Sequence, residues 1–317
     1  MSEEVLLIFS EKIQSILQSL MIEEDKLQEI RLRVEEPLMV LYENQEYFVD
    51  DSANMIKERE NGYIVSRQDI EQTLDYMSQY SLYAYEDEIR QGFLTIQGGH
   101  RVGLAGKIVM EGEKIKNLKH ISFLNVRLAH QKKGCAKKIL PYIFHEGKIC
   151  HTMIISPPGC GKTTLLRDII RLVSDGEKDR QGLTVGVVDE RGEIGACYHG
   201  VPQNDLGVRT DVLDCCPKSL GMLMLLRSMS PKVIAVDEIG TREDLESIEY
   251  VLNCGCKLIA TVHGKSIGDI KKKPVIRKLL DEKMFDRYII LSGKREVGTI
   301  ENIFDSMGNP LFRETVK

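Results

Sequence analysis

A short segment rich in glycine and proline carries the strongest chemical signal in this 317-residue sequence. It reads SPPGCGKTT at residues 156–164, and we call it the phosphate loop. Gly159 and Gly161 allow successive backbone N–H groups to point toward one anion. Lys162 provides a positive charge for the β and γ phosphates of a nucleotide, and Thr163 provides a hydroxyl for Mg²⁺. The spacing therefore predicts a site for ATP with Mg²⁺.

The phosphate loop departs from the common pattern G-x-x-x-x-G-K-[ST] at its first position, where Ser156 replaces glycine. Pro157 and Pro158 stiffen the entry and the G-K-T core is intact, so we expect the loop to keep its function. The apolar run HTMIIS precedes it and the helical pattern TTLLRDIIRLV follows it, a context that disfavours an ordinary glycine turn. The residues predicted to contact the nucleotide are Ser156, Pro157, Pro158, Gly159, Cys160, Gly161, Lys162, Thr163 and Thr164.

A buried strand that ends in carboxylates is the second requirement of such a site. The run VIAV at residues 233–236 is followed by Asp237 and Glu238. We predict that Asp237 helps Thr163 to hold the metal and that Glu238 polarises the attacking water. A solvated strand end is the alternative interpretation of this pair.

Two further apolar runs end in polar residues that would face the same phosphates, because ligands of open parallel sheets bind at the carboxyl ends of the strands. LTVGVVDE ends in Asp189 and Glu190, and Glu190 competes with Glu238 for the role of general base. Spacing leaves that choice open. KLIATVH ends at His263, which is either a sensor of the γ-phosphate or a structural hydrogen-bonding residue.

Arginines can neutralise the charge that develops during phosphoryl transfer. The candidates are Arg227 and Arg209 in the second half of the chain and Arg101 and Arg127 in the first half. A solvated surface position is the alternative for each of them, and the neighbouring glycine turn favours Arg101.

The elements that must position these residues form two halves. Residues 1–135 mix helical patterns, at Ser10–Met21 and in a helix capped by Ser66 that stops before Gly92, with strand patterns, and so predict a mixed α/β domain. Residues 136–149 predict a linker. Residues 150–317 alternate short apolar runs with helical segments, which predicts βαβ units around a parallel sheet, and end in a hairpin across GKREVG.

Composition excludes several classes of protein. The net charge of -5 argues against a polycation that coats nucleic acid. Apolar runs are too short to span a bilayer, and the acidic start MSEEV is unlike an export signal, so we expect a cytoplasmic protein. The eight cysteines predict reduced thiols, with a weak metal signal where Cys254 and Cys256 accompany Cys215 and Cys216.

Together these motifs resemble the stage III sporulation protein AA family of endospore-forming bacteria, a relative of the secretion ATPases of type II and type IV pilus systems. EIRLRVEEPL, GGHRVGLAGKI and ISFLNVRLAH resemble its N-terminal domain; SPPGCGKTTLLRDIIR, VVDERGEIGA, DLGVRTDVLD and VDEIGTREDLESI resemble its ATPase core. In the wider family VVDERGEIG would correspond to the Asp box, VIAVDEIG to Walker B and ATVHG to the His box. The resemblance implies a RecA-like P-loop ATPase core with a parallel sheet, preceded by a smaller mixed α/β domain.

The resemblance also implies an assembly. It predicts a homo-oligomeric ring, with a hexamer expected, in which Arg101, Arg127 or Arg209 would act on a neighbour's nucleotide. The ring would dock at the cytoplasmic face of the inner membrane, on a channel or secretion complex between mother cell and forespore. Secretion ATPases of the pilus type often carry a tetracysteine zinc motif; this chain has none, so we predict no structural zinc.

Two other functions remain as alternatives. One is a RecA-like ATPase that depends on nucleic acid. The basic run Lys271–Lys273 favours this function, and the net charge argues against it. The other is a nucleotide-gated scaffold with little turnover. The intact Asp-Glu pair argues against it. Kinase activity is disfavoured because no second substrate site is evident.

Overall fold

The computed structural model describes residues 1–177, 180–293 and 297–313. The chain divides into two compact units, Met1–His130 and Gln131–Lys317. Across these described ranges no helix combines the length and apolar character that a bilayer span requires.

The first unit is built on one sheet. Its strands are β1 (Leu27–Arg33), β2 (Met39–Tyr42), β3 (Gln45–Val49), β4 (Met55–Ile56), β5 (Phe93–Thr95), β6 (Arg101–Glu111) and β7 (Lys114–Arg127). Its helices are α1 (Glu3–Leu6), α2 (Glu11–Ser19), α3 (Arg67–Met77) and α4 (Glu86–Gln91), with 3₁₀ turns at Glu24–Lys26, Arg59–Asn61, Leu82–Tyr85 and Gln97–Gly99. The strands pair antiparallel in the order β4-β3-β2-β1-β7-β6-β5.

Strand β1 alternates buried apolar side chains with more exposed polar ones. Ile30 and Leu32 are fully buried in a core that also contains apolar residues of α2 and α3. Arg31, between them, belongs to the opposite face of the sheet, because successive side chains of a strand alternate. One face of this sheet is therefore apolar and helix-covered, and the other carries arginines.

The single helix predicted between Ser66 and Gly92 is instead two helices. Ser66 caps α3 as expected, and its hydroxyl accepts a hydrogen bond from the backbone three residues on. The backbone of Gln79 and Tyr80 then takes φ values of 48° and 61°, which no right-handed helix can include. The chain re-enters a helix at α4, which ends at Gly92 with φ of 83°.

The second unit contains the predicted parallel sheet. Its strands are β8 (Phe144–His145), β9 (Lys148–Ile149), β10 (Thr152–Ser156), β11 (Gly176–Glu177), β12 (Arg180–Gln181), β13 (Val185–Asp189), β14 (Thr210–Asp214), β15 (Val233–Val236), β16 (Lys257–His263), β17 (Arg287–Leu291), β18 (Ile300–Asp305) and β19 (Pro310–Arg313). Its helices are α5 (Leu140–Ile143), α6 (Lys162–Asp175), α7 (Lys218–Ser228), α8 (Arg242–Asn253), α9 (Ile267–Ile270) and α10 (Pro274–Asp281).

The main sheet of this unit has the order β14-β13-β15-β16-β10-β17-β18-β19. Pairing is parallel from β14 to β17 and antiparallel for β18 and β19. Met153 and Ile155 of β10 pack into one core with α7, α8 and α10, whereas Ile154 packs into another with α6. Helices thus cover both faces, and the carboxyl ends of β10, β13, β15 and β16 meet at one edge.

The structure corrects the predicted linker and describes the predicted C-terminal hairpin only in part. Residues 136–149 do not form a linker: Ala136, Ile139 and Ile143 are fully buried in the second unit's core, and the division falls earlier, at His130. The expected hairpin pairs β17 with β18, but Lys294–Glu296, in its GKREVG connection, lie outside the described residues.

Asp69 connects α2 and α3 in the core of the first unit. One carboxylate oxygen accepts a hydrogen bond from the Ser10 hydroxyl at 2.6 Å. The other accepts from the Ser66 N–H at 2.9 Å, the Ser66 hydroxyl at 2.7 Å and the Tyr63 hydroxyl at 2.8 Å. Burial raises the pKa of Asp69, but these hydrogen bonds outweigh it, and the pKa is lowered below its usual value.

We expect Asp69→Asn to lower the free energy of unfolding by about 2 kcal/mol at pH 7, because an amide replaces a charged acceptor of several hydrogen bonds. Since the folded state lowers this pKa, the contribution is present above pH 4 and declines as the pH falls. Urea unfolding at pH 7 and at pH 3.5 measures both. A difference between variant and wild type that stays constant with pH would contradict this role of Asp69.

Candidate functional site

The predicted phosphate loop connects the end of β10 to the start of α6. Gly159 and Gly161 have φ values of 72° and 85°, in the left-handed region that favours glycine. Gly161 is the N-cap residue of α6, which begins at Lys162. The unpaired N–H groups and the positive dipole end of this helix therefore face the loop, as an anion site requires.

Several polar groups of the loop bond to nearby backbone. The hydroxyl of buried Ser156 donates to the Pro157 carbonyl oxygen at 2.8 Å. The Cys160 thiol contacts the Pro158 carbonyl oxygen at 3.5 Å, and the carbonyl oxygen of Thr164 accepts from the Cys135 thiol at 3.9 Å. The side chains of the loop that reach the acidic strand ends are those of Lys162 and Thr163.

Lys162 and Thr163 contact the two carboxylates that follow β15. Lys162 Nζ lies 2.8 Å from Glu238 Oε1 and 3.5 Å from Asp237 Oδ1, and its side chain is 6% exposed. The Thr163 hydroxyl donates to Asp237 Oδ2 at 2.7 Å. The structure therefore brings together two pairs of adjacent residues, and the pairs lie more than seventy positions apart in the sequence.

Two cations and an imidazole surround the Glu238 carboxylate. Oε1 is shared by Lys162 and by His263 Nε2, at 2.6 Å, and Oε2 lies 2.6 Å from Arg191 Nη1. Burial raises the pKa of Glu238, but the hydrogen bond and charge of Lys162, with His263 and Arg191, outweigh it and lower the pKa to about 2. Glu238 is consequently ionised and engaged at both oxygens.

Backbone geometry fixes where the two carboxylates point. Glu238 has φ of 54°, a left-handed value that is uncommon for a residue other than glycine. Its N–H lies 2.9 Å from Thr261 Oγ1, and the Thr261 hydroxyl donates to Asp237 Oδ1. Asp237 Oδ2 stays beside Thr163. A carboxylate next to a hydroxyl is a set of hard oxygen donors that fits Mg²⁺.

His263 completes this end of the site. Strand β16 lies between β10 and β15, and Ser156 pairs with His263 in register. His263 Nε2 lies between Glu238 and Lys162, 3.4 Å from the latter. Its Nδ1 is buried and has no hydrogen-bond partner within the described ranges. The ring thus lies beside Lys162 and Glu238, and its role as a sensor of the γ-phosphate or as a structural hydrogen-bonding residue stays a prediction.

Glu190, the alternative base, is engaged elsewhere. Its carboxylate bonds to Lys218 at the start of α7. The neighbouring Asp189 is 2% exposed and accepts backbone N–H bonds from Glu193, Ile194 and Gly195 at 2.7–2.9 Å. Burial raises the pKa of Asp189 above its usual value despite these bonds. Asp189 therefore shapes the loop after β13, and Glu238 is the glutamate next to Lys162.

Sequence reasoning missed two arginines near the site. Arg191, which contacts Glu238, directly follows the acidic residues at the end of β13. That position in the sequence could have identified it as a site residue. Arg167 lies one turn after Thr163 on α6, near the charges of Asp189 and Asp237, and its Nε has no hydrogen-bond partner in the part of the chain that is described. Burial lowers the pKa of Arg167.

The predicted arginines of the second unit lie away from the phosphate loop. Arg227 is near the end of α7 and lines a cavity with Lys232 and Cys256, which precede β15 and β16. This is the amino edge of the sheet, so Arg227 lies away from the phosphate loop of its own chain, and its catalytic role stays a prediction. Arg209 donates to the carbonyl oxygens of Ser174 and Asp175 at 2.9 and 3.3 Å, where it caps the end of α6.

The predicted arginines of the first unit share the polar face of its sheet. Arg101 lies over the Phe93 ring, 3.5 Å from its centroid. Arg127 is largely exposed and lies 3.4 Å from Glu29. Arg127 also lines a cavity of about 470 Å³ together with Arg31 and Arg33. On this face Arg31 is also ion-paired, with Glu29 at 2.6 Å and with Glu46 at 2.9 Å.

The weak metal signal of the cysteines has no structural counterpart. Cys254 is exposed, whereas Cys256 is buried, which raises its pKa to about 11. Within residues 1–177, 180–293 and 297–313, no group of three or more His, Cys, Asp or Glu side chains is arranged to hold a metal ion. The absence of zinc stays a prediction.

Comparison with known proteins identifies relatives over nearly the whole chain. The profile of the family described as "Sporulation stage III, protein AA" matches residues 1–311. Stage III sporulation protein AA of Bacillus subtilis is 41% identical over 290 residues, which cover 92% of this chain and 90% of that protein. The resemblance inferred from the motifs is confirmed.

Solved structures show the same fold at low sequence identity. The pilus retraction motor PilT, solved with ADP, has a TM-score of 0.59 at 13% identity and covers 99% of this chain and 84% of its own. The ATPase DotB of Yersinia pseudotuberculosis has a TM-score of 0.59 at 11% identity, over 94% of this chain and 80% of its own. These similarities confirm the predicted fold class, a RecA-like core preceded by an N-terminal domain.

We expect Asp189→Ala to accelerate amide hydrogen exchange in residues 193–195 about tenfold or more, because these N–H groups lose a charged acceptor. Exchange followed by mass spectrometry on the peptide that contains them measures the effect. Asp189→Asn keeps one acceptor oxygen and serves as the matched control, with an intermediate rate. Unchanged exchange in Asp189→Ala would show that the loop is held by other contacts.

Proposed function

The chain belongs to the sporulation stage III, protein AA family, and we propose that it is an Mg²⁺-dependent ATPase. The observation that carries the proposal is the convergence of the loop residues Lys162 and Thr163 with Asp237 and Glu238. In the proposed reaction water attacks the γ-phosphorus, the bond to the β-phosphate oxygen breaks, and ADP leaves. Lys162 binds the β and γ phosphates, and Glu238 takes the proton of the attacking water.

Thr163 and Asp237 hold Mg²⁺ in this proposal. When bound, the ion neutralises the charge of the β and γ phosphates. Lys162 must also leave Glu238 in order to reach the phosphates. Arg191, whose side chain is 63% exposed, is placed to leave Glu238 and move toward the phosphates as well. Nucleotide binding would thereby release Glu238 from both cations and leave His263 as the partner of Oε1.

We further propose that the protein works as a ring, with six copies as the expected number, in which an arginine of one copy completes the site of the next. Arg101 and Arg127 are the better candidates, because Arg209 is committed to the end of α6. We propose that the ring docks, from the cytoplasmic face, on a membrane channel or secretion complex between mother cell and forespore. The family assignment and the fold shared with PilT and DotB support this.

A nucleotide-gated scaffold with little turnover is the second candidate. The engagement of both Glu238 oxygens favours it, because a base held this way does not accept a proton until it is released. A motor that depends on nucleic acid receives less support. Lys273 donates to the His263 carbonyl oxygen at 2.7 Å and Lys271 lies 3.4 Å from Asp281, so these two lysines of the basic run have partners within the protein.

We expect Glu238→Gln to lower kcat about 100-fold or more while ATP still binds, because the variant loses the proton acceptor and keeps Lys162. Lys162→Ala should lose both binding and turnover. Glu190→Gln is the matched control and should keep near wild-type turnover. Equal losses in Glu190→Gln and Glu238→Gln would contradict the assignment of the base. Unchanged turnover in Lys162→Ala would remove the proposed site.

The ring is tested by the rate of ATP hydrolysis per protomer as protein concentration rises. We expect a steep rise and then saturation, because a neighbour completes each site. Lys162→Ala mixed with Arg127→Ala should regain part of the activity, since some interfaces join an intact Lys162 to an intact Arg127. Lys162→Ala mixed with Glu238→Gln, which damage the same half of the site, should regain none. Equal behaviour of the two mixtures would exclude Arg127 as the residue supplied by the neighbour.

A further inference from the structure

We propose that the far end of the β6–β7 hairpin is a docking surface for a bilayer that contains anionic phospholipids. This end, residues 107–119, is called the hairpin arm below. Strand β5 pairs with β6 at residues 101–103, and β1 pairs with β7 at residues 123–127. Among the described residues no third strand pairs with the hairpin arm, which is therefore a two-stranded ribbon beyond the body of the sheet. The inference concerns the first unit alone and does not depend on ATPase activity.

One face of the hairpin arm is apolar. Residues that pair directly across two antiparallel strands share a face, and the pairs on this face are Ile108 with Leu118 and Met110 with Ile115. Leu118 packs against the core of the first unit. Ile108, Met110 and Ile115 are instead 53%, 53% and 43% exposed. The apolar face thus begins at the core and continues into solvent, where three large apolar side chains contact water.

The opposite face of the hairpin arm carries two cations in an unfavourable arrangement. Lys107 and Lys119 are exposed and lie directly across the strands from each other. Like charges in this position destabilise an antiparallel pair. Neither ammonium group has an ion-pair partner among the residues that the structure describes. An anionic surface would relieve the repulsion between them.

The register that opposes the two lysines is fixed by a bulge in β7. Between the Lys107–Lys119 pair and the body of the sheet, β7 has two more residues than β6. A Cβ atom added to Gly106 would lie 2.7 Å from the carbonyl oxygen of His120, so the crossing of the two strands requires a glycine. A one-residue slip would exchange the two faces of a strand. The bulge therefore holds the apolar side chains on one face and the lysine pair on the other.

This combination of faces fits a bilayer surface. The hairpin arm contains four lysines and two glutamates, and one of these glutamates, Glu111, is paired with Lys116 at 2.6 Å. A ribbon whose apolar face enters the boundary between headgroups and acyl chains keeps its other face at the depth of the lipid phosphates. Lysine side chains are long enough to reach those phosphates. Each lysine near an anionic membrane strengthens binding about 5-fold, so acidic lipids would stabilise both faces at once.

The test is co-sedimentation of the full chain with vesicles, without nucleotide. Vesicles of phosphatidylglycerol and phosphatidylcholine in equal parts should bind the protein about 10-fold or more tightly than vesicles of phosphatidylcholine alone. Lys119→Glu should weaken this binding about 5-fold or more. Urea unfolding should show that the same variant is as stable as the wild type or more stable, because a Lys-Glu pair replaces a like-charge pair. Lys57→Glu changes the net charge equally at an exposed position outside the hairpin arm, and should leave binding nearly unchanged.

A second measurement tests the apolar face. The chain contains no tryptophan, so Ile108→Trp introduces a single reporter. Its emission should shift to shorter wavelength with the anionic vesicles and be quenched by brominated phospholipid, because the indole enters the interface. Ile64→Trp is the matched control at a residue of similar exposure, 52%, and should show neither effect.

Four results would overturn the docking surface. They are failure of the folded wild-type chain to bind the anionic vesicles, equal binding to both kinds of vesicle, equal losses in Lys57→Glu and Lys119→Glu, and equal emission shifts for the two tryptophan reporters. Each of them would leave the ATPase proposal intact, because none of these measurements involves nucleotide or the phosphate loop.

Discussion

The contact between Lys162 and Glu238 depends on a single constraint: strands β10 and β15 run parallel and end at the same edge of one sheet. They are not neighbours, because β16 lies between them. The intervening strand supplies Thr261, which bonds to the Asp237 carboxylate and to the Glu238 backbone, and His263, which bonds to the Glu238 side chain. The distance between lysine and glutamate is therefore fixed by three strands, and a change in register would separate them.

In the proposed ATPase, the same contact would link nucleotide binding to the state of Glu238. Removal of one partner from a buried ion pair leaves an unpaired charge, at a cost of about 3–5 kcal/mol. Lys162, at 6% exposure, can leave Glu238 only for another anion, and a triphosphate on the helix N-terminus is such an anion. Arg191 is exposed and attached to the loop that Asp189 shapes, so it can move at lower cost. In the proposed ATPase, release of Glu238 from Lys162 and Arg191 would thus follow from where the phosphates bind.

Local patterns allowed the phosphate loop, α6 and the strand before Asp237 to be predicted, because each depends on residues adjacent in sequence. The choice between Glu190 and Glu238 depends on which basic residue lies beside each, and only the strand order reveals that Lys218 is beside Glu190. Sequence spacing did not reveal that Arg227 lies at the opposite edge of the sheet, where a helix that runs back to the start of a strand carries its last turn. Residues 136–149 looked like a linker because the surrounding segment is rich in lysine and contains Gly134 and Pro141, yet Ile139 and Ile143 are buried.

The change from parallel to antiparallel pairing after β17 gives the two sides of β10 different residues. Parallel strands bring their carboxyl ends, and with them Asp237, Glu238 and His263, to the edge where the phosphate loop lies. Strand β18 instead starts at that edge and runs away from it, so it contributes the apolar beginning of a strand beside the loop. The carboxylates that contact Lys162 and Thr163 therefore lie on the β15–β16 side of β10, and an apolar surface lies on the β17–β19 side. In the proposed ATPase the nucleotide would bind between these two sides, at the loop that follows β10.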